Sequence, residues 1–441
     1  MSLRLSSVLA SLLAACSPVF AASAAPLTLP DCLRLSLKAS PSVRSAALRI
    51  EQARRHVSQA VAGLGPRVDF TAGQALLGYD NAGSRIDNPR YDDNTHAYNL
   101  TGSWTVFNDF RDMRALKKSR LDLASGKLEG TRTEQELIQA TVQAYFGELR
   151  AQRLSGVRRR FSESRREYLD VTEKLYKAGV RSYTDLLNAR VQVRQQDLEA
   201  LRAGHDERSA RAALNLLLDR PIDDPLELAD VQGVPEPPAD FAADLREALQ
   251  RRPDVQESRL ALEKAELGVR GAWGELLPAL TIDASANYRF DQPRVSVAPG
   301  VQFSVTNPYW QVGAKLSLPV FDGGARWQEV KLARLQVDLV REDYEAARRR
   351  AASEVLSARL DLDENRQAWE MSRDELKNAR ESYSIVRDQY RQGNVSALVV
   401  KDAENSLSGF EVSEAQALYG AHLARVELLK AKGLLAPEMF P

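Results

Sequence analysis

Four histidines, His56, His96, His205 and His422, and two cysteines, Cys16 and Cys32, are the side chains through which this sequence could bind a metal or activate a nucleophile. Zinc chemistry needs such residues grouped at short ligand spacings, and nucleophilic catalysis needs a histidine set against a serine or thiol. These six are scattered along the chain, and no glycine-rich phosphate loop accompanies them. No metal, no cofactor and no enzyme activity are therefore expected, and the paired carboxylates read as charges on helix faces. Lys+Arg and Asp+Glu both number 60, so no net field draws nucleic acid to the surface.

The polar residues that do recur at fixed spacing lie in two segments. One is Tyr176-Lys-Ala-Gly179-Val-Arg181-Ser182-Tyr-Thr-Asp185-Leu-Leu-Asn188 and the other Tyr390-Arg-Gln-Gly393-Asn-Val-Ser396-Ala-Leu-Val399-Val-Lys401-Asp402. Their chemistry is conformational and electrostatic. Gly179 and Gly393 suit a helix C-terminus that needs a left-handed residue, and Ser182 with Asp185 has the spacing of a capping box. Each segment predicts a tight turn between two helices.

Those turns belong to a duplicated chain. Pro41 and Pro66 are matched by Pro253 and Pro278, and Leu48, Glu51, Ala53 and Val57 by Leu260, Glu263, Ala265 and Val269, all 212 residues on. Val106-Phe107 and Tyr176-x-x-Gly179 return as Val320-Phe321 and Tyr390-x-x-Gly393, 214 residues on. The length difference therefore falls in one connecting loop. The first repeat covers 22–218 and the second 240–435, with a linker at 219–239 and a tail at 436–441.

No proline occurs from Arg90 to Arg220 or from Val320 to Ala436, so long helices are free to form there. Ile138, Val142, Tyr145, Phe146 and Leu149 make the narrow apolar stripe of coiled-coil packing. Helices are predicted over 31–62, 109–178, 184–218, 240–275, 323–392 and 397–434. The two longest would run roughly 100 Å at 1.5 Å per residue. Such a helix must cross an aqueous space packed against others like it.

Strands are predicted over 67–77, 97–107, 279–290 and 309–320. Leu280, Ile282, Ala284, Ala286, Tyr288 and Phe290 alternate with Thr281, Asp283, Ser285, Asn287 and Arg289, the apolar-out, polar-in pattern of membrane barrel strands. Periodicity alone fits a half-buried soluble sheet as well. The export signal and the long polar loops 78–96 and 291–308 favour the membrane. That signal comprises Arg4, an apolar run from Leu5 to Ala15, Pro18 and the small residues after it, giving a leader of 1–21. Leu13-Ala14-Ala15-Cys16 also resembles a lipobox, which would end the leader at 15 and leave Cys16 acylated. Cys32 reads as a small buried residue near a helix start. Four strands cannot close a barrel, and open edges do not survive in hydrocarbon. Subunits must pool strands, eight in a dimer, twelve in a trimer or sixteen in a tetramer.

The duplicated strand-strand-long-helix order and the two Tyr-x-x-Gly segments resemble the TolC family of outer-membrane efflux and secretion channels. The resemblance implies a mainly α chain that forms, as a homotrimer, a 12-stranded β-barrel continuous with a long α-helical barrel. It further implies an outer-membrane location with a periplasmic extension, and docking to a periplasmic adaptor and an inner-membrane transporter. The family's periplasmic aperture falls on Val399 and Asp402, with Asp185 and Asn188 as the first-repeat equivalents. Arg181, Tyr390 and Lys401 become latch candidates, and Tyr176, Gly179, Ser182, Gly393 and Ser396 form tips that meet the adaptor. Valine at 399 leaves a single acidic ring at Asp402 where the family has a pair. The competing reading is a periplasmic coiled-coil scaffold or adaptor without a pore.

Overall fold

A computed structural model describes residues 26–78, 92–231, 233–234, 240–290, 295–298, 301–303, 306–392 and 394–440. The leader with Cys16, residues 79–91 of the first polar loop, 235–239 of the linker and Gly393 lie outside the described residues. Element lengths repeat. Helices α1 (Leu29–Ala39) and α5 (Phe241–Arg251) have 11 residues each, and α2 (Pro41–Ala62) and α6 (Pro253–Gly274) have 22 each. The long helices α3 (Arg111–Lys177) and α7 (Ala325–Arg391) have 67, and the returning helices α4 (Tyr183–Leu217) and α8 (Ala397–Ala431) have 35.

The helices read from sequence as 31–62 and 240–275 are each two helices. Ser40 (φ −61°, ψ 124°) and Arg252 (φ −60°, ψ 126°) are extended, and each stands before a proline that opens the next helix. The proline ring excludes the α region for the residue before it while suiting the first helical position. The long helices start two residues later than the sequence suggested. Asp109 and Phe110 have φ of 55° and 66°, and their second-repeat equivalents Gly323 and Gly324 have 68° and 89°. A pair of left-handed residues thus turns each strand into its helix. Helix α8 stops at Ala431 because Gly433 (φ 71°) closes it, with Leu434 N–H on the Leu429 carbonyl at 2.8 Å.

Two compact units divide the described residues. One spans Leu37–Ala140 and Val234–Met439. It holds an antiparallel sheet ordered β1 (Arg67–Gly78), β2 (Asp92–Asn108), β3 (Ala279–Phe290) and, at the far edge, β6 (Thr306–Ser317). A hairpin, β4 (Val295–Ala298) with β5 (Val301–Phe303), occupies part of the segment read as loop. The pairing puts even-numbered residues side by side: Phe70 opposite Leu100, Tyr98 opposite Tyr288, Trp104 opposite Ile282 and Ala284 opposite Val312. Odd rows join Asp69 to Thr101 and Ser285 to Gln311. One face is therefore apolar and exposed, with Phe70 and Val312 each 66 % accessible, and the other is lined by hydroxyls and amides. A bulge between Thr105 and Phe107 then brings Phe107 opposite Leu280. Among the described residues, the outer edges of β1 and β6 have no partner strand.

The helical core of this unit packs Ala248 with Val355, Ala358, Leu362, Ala424 and Leu428. Buried Asp244 accepts from Lys432 Nζ at 2.6 Å, and Arg359 reaches it at 3.4 Å. Burial disfavours the Lys432 ammonium, but the bonds to Asp244 and Glu247 outweigh it and hold its pKa above the usual value. Arg252 bonds Asp254 at 2.8 Å, Glu354 at 2.6 Å and the Ala431 carbonyl at 3.2 Å. This binds the start of α6 to α7 and to the end of α8.

The other unit contains α1 as far as Ser36, the second half of α3, α4 and the chain to Gly233. Leu27 bridges Leu228 in parallel, and Tyr145, wholly buried, donates its hydroxyl to the carbonyls of Ala229 (2.5 Å) and Leu27 (3.3 Å). The linker is thereby fastened to α3. Cys32 lies buried beside it, and burial pushes its thiol up to about 12. It is an inert packing residue.

Candidate functional site at the helix-helix turns

Helix α3 ends in a complete Schellman motif. Gly179 N–H bonds the Tyr176 carbonyl and Val180 N–H the Leu175 carbonyl, both at 2.9 Å. Gly179 has φ 74° with open space where a Cβ would stand. Glycine is needed for its backbone angle alone. Three residues later Ser182 caps α4: its hydroxyl accepts from Asp185 N–H at 3.1 Å, while the Asp185 carboxylate accepts from Ser182 N–H at 3.2 Å. The rings of Tyr176 and Tyr183 meet across the turn at 5.7 Å.

The second turn reuses the backbone and changes the side chains. Asn394 N–H bonds the Gln389 carbonyl at 2.9 Å, as Val180 bonds Leu175. Ser396 caps α8 in the same extended conformation (φ −79°, ψ 156°) but makes no side-chain cap bond. Its third helical residue, Val399, stands where the first repeat has Asp185 and offers no carboxylate to accept from the Ser396 N–H, so the reciprocal bond of the first turn is absent as well. Val399 and Asp402 are exposed one helical turn apart on α8. The Asp402 carboxylate makes no hydrogen bond or ion pair to a described residue, and only its backbone carbonyl is used, by Ser406 at 2.9 Å. Asn188, the equivalent in α4, is also exposed.

The sequence-predicted residues thus divide. Ser182, Asp185, Tyr176 and Gly179 come together as one turn. Val399 and Asp402 form a short apolar and acidic step. Arg181 and Lys401 form no ion pair with described residues, and the side chain of Tyr390 lies outside them. Sequence reasoning missed the buried polar groups along the helix shafts, far from the turns. Glu148, fully buried on α3, meets Arg211 at 3.3 Å and Gln152 at 2.8 Å, leaving Oε2 without a partner. Burial holds its carboxyl above the usual glutamate range, although Gln152 and Arg211 oppose it. Its only signal in sequence would have been a glutamate on the same stripe as Tyr145 and Leu149.

Among the described residues no cluster of His, Cys, Asp or Glu could hold a metal, and no helix is long and apolar enough to cross a membrane. The profile described as "Outer membrane efflux protein" matches residues 32–220 and again 245–434, one match for each repeat. The chain belongs to the outer membrane efflux protein family.

Individual relatives of this outer membrane efflux protein are distant. The probable efflux pump outer membrane protein TtgC of Pseudomonas putida is 27 % identical over 339 residues, covering 74 % of this chain. The chain spans 66 % of TtgC, just under two thirds of its length. The pyoverdine export outer membrane protein OpmQ of Pseudomonas aeruginosa is 24 % identical over 417 residues, covering 92 % of this chain and 85 % of OpmQ. The crystal structure of the Campylobacter jejuni CmeC outer membrane channel superposes with a TM-score of 0.78 at 20 % identity, covering 92 % of this chain and 85 % of that one. The fold is therefore that of the outer-membrane channels.

Proposed function

We propose that this protein is the outer-membrane exit duct of a tripartite efflux pump or type I secretion system. Three copies pool four strands each into a twelve-stranded barrel, and their helices form the tunnel below it. A periplasmic adaptor and an inner-membrane transporter deliver the cargo, and the duct itself performs no covalent chemistry. The observation that carries this reading is the sheet: it has one apolar face, one polar face, two unpaired edges and 67-residue helices leaving it. Backbone edges cannot be left open in hydrocarbon, so the edges must pair between copies. A periplasmic scaffold would leave Phe70, Val312 and Trp310 in water.

At the far end of α7 the exposed Asp402 becomes a ring of carboxylates when copies assemble about an axis, with Val399 as an apolar step beside it. Arg181 and Lys401 supply cations at the mouth, and the Tyr176–Tyr183 turn presents a tip to the adaptor. Planar-bilayer recording tests the gate. Asp402→Asn is expected to weaken block by divalent cations and reduce cation selectivity, while unchanged block would remove Asp402 from the aperture. Fractionation tests the duct: the mature chain should require detergent for extraction, and recovery in the soluble periplasm would contradict the proposal.

A further inference from the structure

The lipid-facing side of the sheet does not end with the strands. Phe107, brought level with Leu280 by the bulge, meets Phe110 edge-on at 5.5 Å. Phe110 is exposed, and one turn further along α3 stands exposed Met113. Between α3 and α6 this side opens into a groove of about 530 Å³ floored by Met113, Leu116, Leu121 and Leu267. Its rim is cationic: Lys117, Arg120 and Arg270. The second repeat places the same pattern on α7, where Trp327, Lys331 and Arg334 stand 214 residues after Met113, Lys117 and Arg120. Trp273 of α6 packs against Trp327 at 5.4 Å, and the Arg334 guanidinium covers the Trp273 ring at 5.7 Å.

Charge on this surface is unbalanced. Lys117 is paired with Glu263 at 2.9 Å. Arg120, Arg270 and Lys331 are exposed and form no ion pair with a described residue, and Glu266 and Glu329 are exposed acids on the same helices. Arg120 lies nine residues into α3, about 14 Å below its start at 1.5 Å per residue. Long basic side chains reach back toward an interface by several ångströms, which puts these cations at headgroup depth. Exposed tryptophans are the residues that settle at that level.

We propose that this collar binds anionic glycerophospholipid of the periplasmic leaflet, its phosphodiester held by Arg120 and Arg270 at the rim of the Met113–Leu267 groove and an acyl chain entering that groove, with Lys331 on α7 a further cation of the collar. The proposal rests on the outer-membrane placement of the sheet. An apolar floor with a basic rim, continuous with a lipid-facing sheet, matches both halves of that ligand. Each juxtamembrane cation contributes about 1 kcal/mol, on the order of five-fold in lipid affinity.

The test reconstitutes the full-length protein in nanodiscs containing brominated phosphatidylglycerol or brominated phosphatidylcholine and reads tryptophan quenching. The Trp273 and Trp327 contribution is the difference from a Trp273→Phe/Trp327→Phe variant. Stronger quenching of this pair by the phosphatidylglycerol is expected, with the preference falling about five-fold for each of Arg120→Gln, Arg270→Gln and Lys331→Gln. Arg246→Gln, on α5 beyond the far end of α6 from the sheet, should leave it unchanged. Equal quenching by the two lipids, or none at this pair, overturns the collar. Trp104 and Trp310 report separately: absence of their quenching in the double variant would show that the sheet itself is not in the bilayer.

Discussion

Asp185 and Val399 occupy the same place in the two repeats, and the difference between them is physical. Asp185 closes a capping box and spends its carboxylate on Ser182 N–H, whereas Val399 leaves that amide unsatisfied by a side chain. Val399→Asp should stabilise the start of α8 by about 1 kcal/mol, read as slower hydrogen exchange of its first-turn amides. No slowing would mean that the third helical residue does not cap there. Glu148 gives a pH-dependent expectation. Its folded pKa is raised above the unfolded value, so its ionised form costs stability near neutrality, and that cost vanishes as pH falls through the folded pKa. Glu148→Gln should therefore be more stable than the parent at pH 7, with the difference shrinking in acid. Thermal unfolding across that range checks the sign; a variant that is less stable at pH 7 would show that the Arg211 pairing outweighs burial.

The elements were legible where one signal acted alone. Absence of proline marked the long helices, and apolar alternation marked the strands. Where two signals overlapped, boundaries moved. Pro41 and Pro253 were informative as repeat markers, yet each also breaks a helix at the residue before it. Asp109 and Phe110 could not be read as a left-handed pair because neither is glycine; only the second copy, Gly323-Gly324, betrays that geometry. The hairpin of β4 and β5 is too short for alternation to register. Among the site residues, the Ser182–Asp185 cap was readable from spacing, whereas the Glu148 and Arg252 clusters depend on residues far apart in sequence. Arg252 illustrates how such a cluster holds elements together: its guanidinium joins α6, α7 and α8 through Asp254, Glu354 and the Ala431 carbonyl. Arg252→Ala should cost about 2 to 3 kcal/mol, seen as a lower midpoint in denaturant. A shift no larger than that of an exposed arginine such as Arg246 would contradict this role.

For the whole molecule, duplication predicts how copies join. Within one chain β2 pairs with β3, Tyr98 opposite Tyr288 and His96 opposite Phe290. The two outer strands are their repeat equivalents, β6 for β2 and β1 for β3. Applying the repeat offsets of 214 and 212 carries that register to the join between copies, where Leu316 of one chain falls opposite Ala72 of the next. Both are even-numbered and exposed on the apolar side of the sheet, and antiparallel neighbours at such positions lie close enough to be bridged. The most direct test of a duct built from three chains is oxidative cross-linking of Leu316→Cys with Ala72→Cys in one polypeptide, in a Cys32→Ala background. The expected denaturing gel shows covalent dimers and trimers and nothing larger. Monomer alone, or a ladder that ends at two or four chains, would contradict the account.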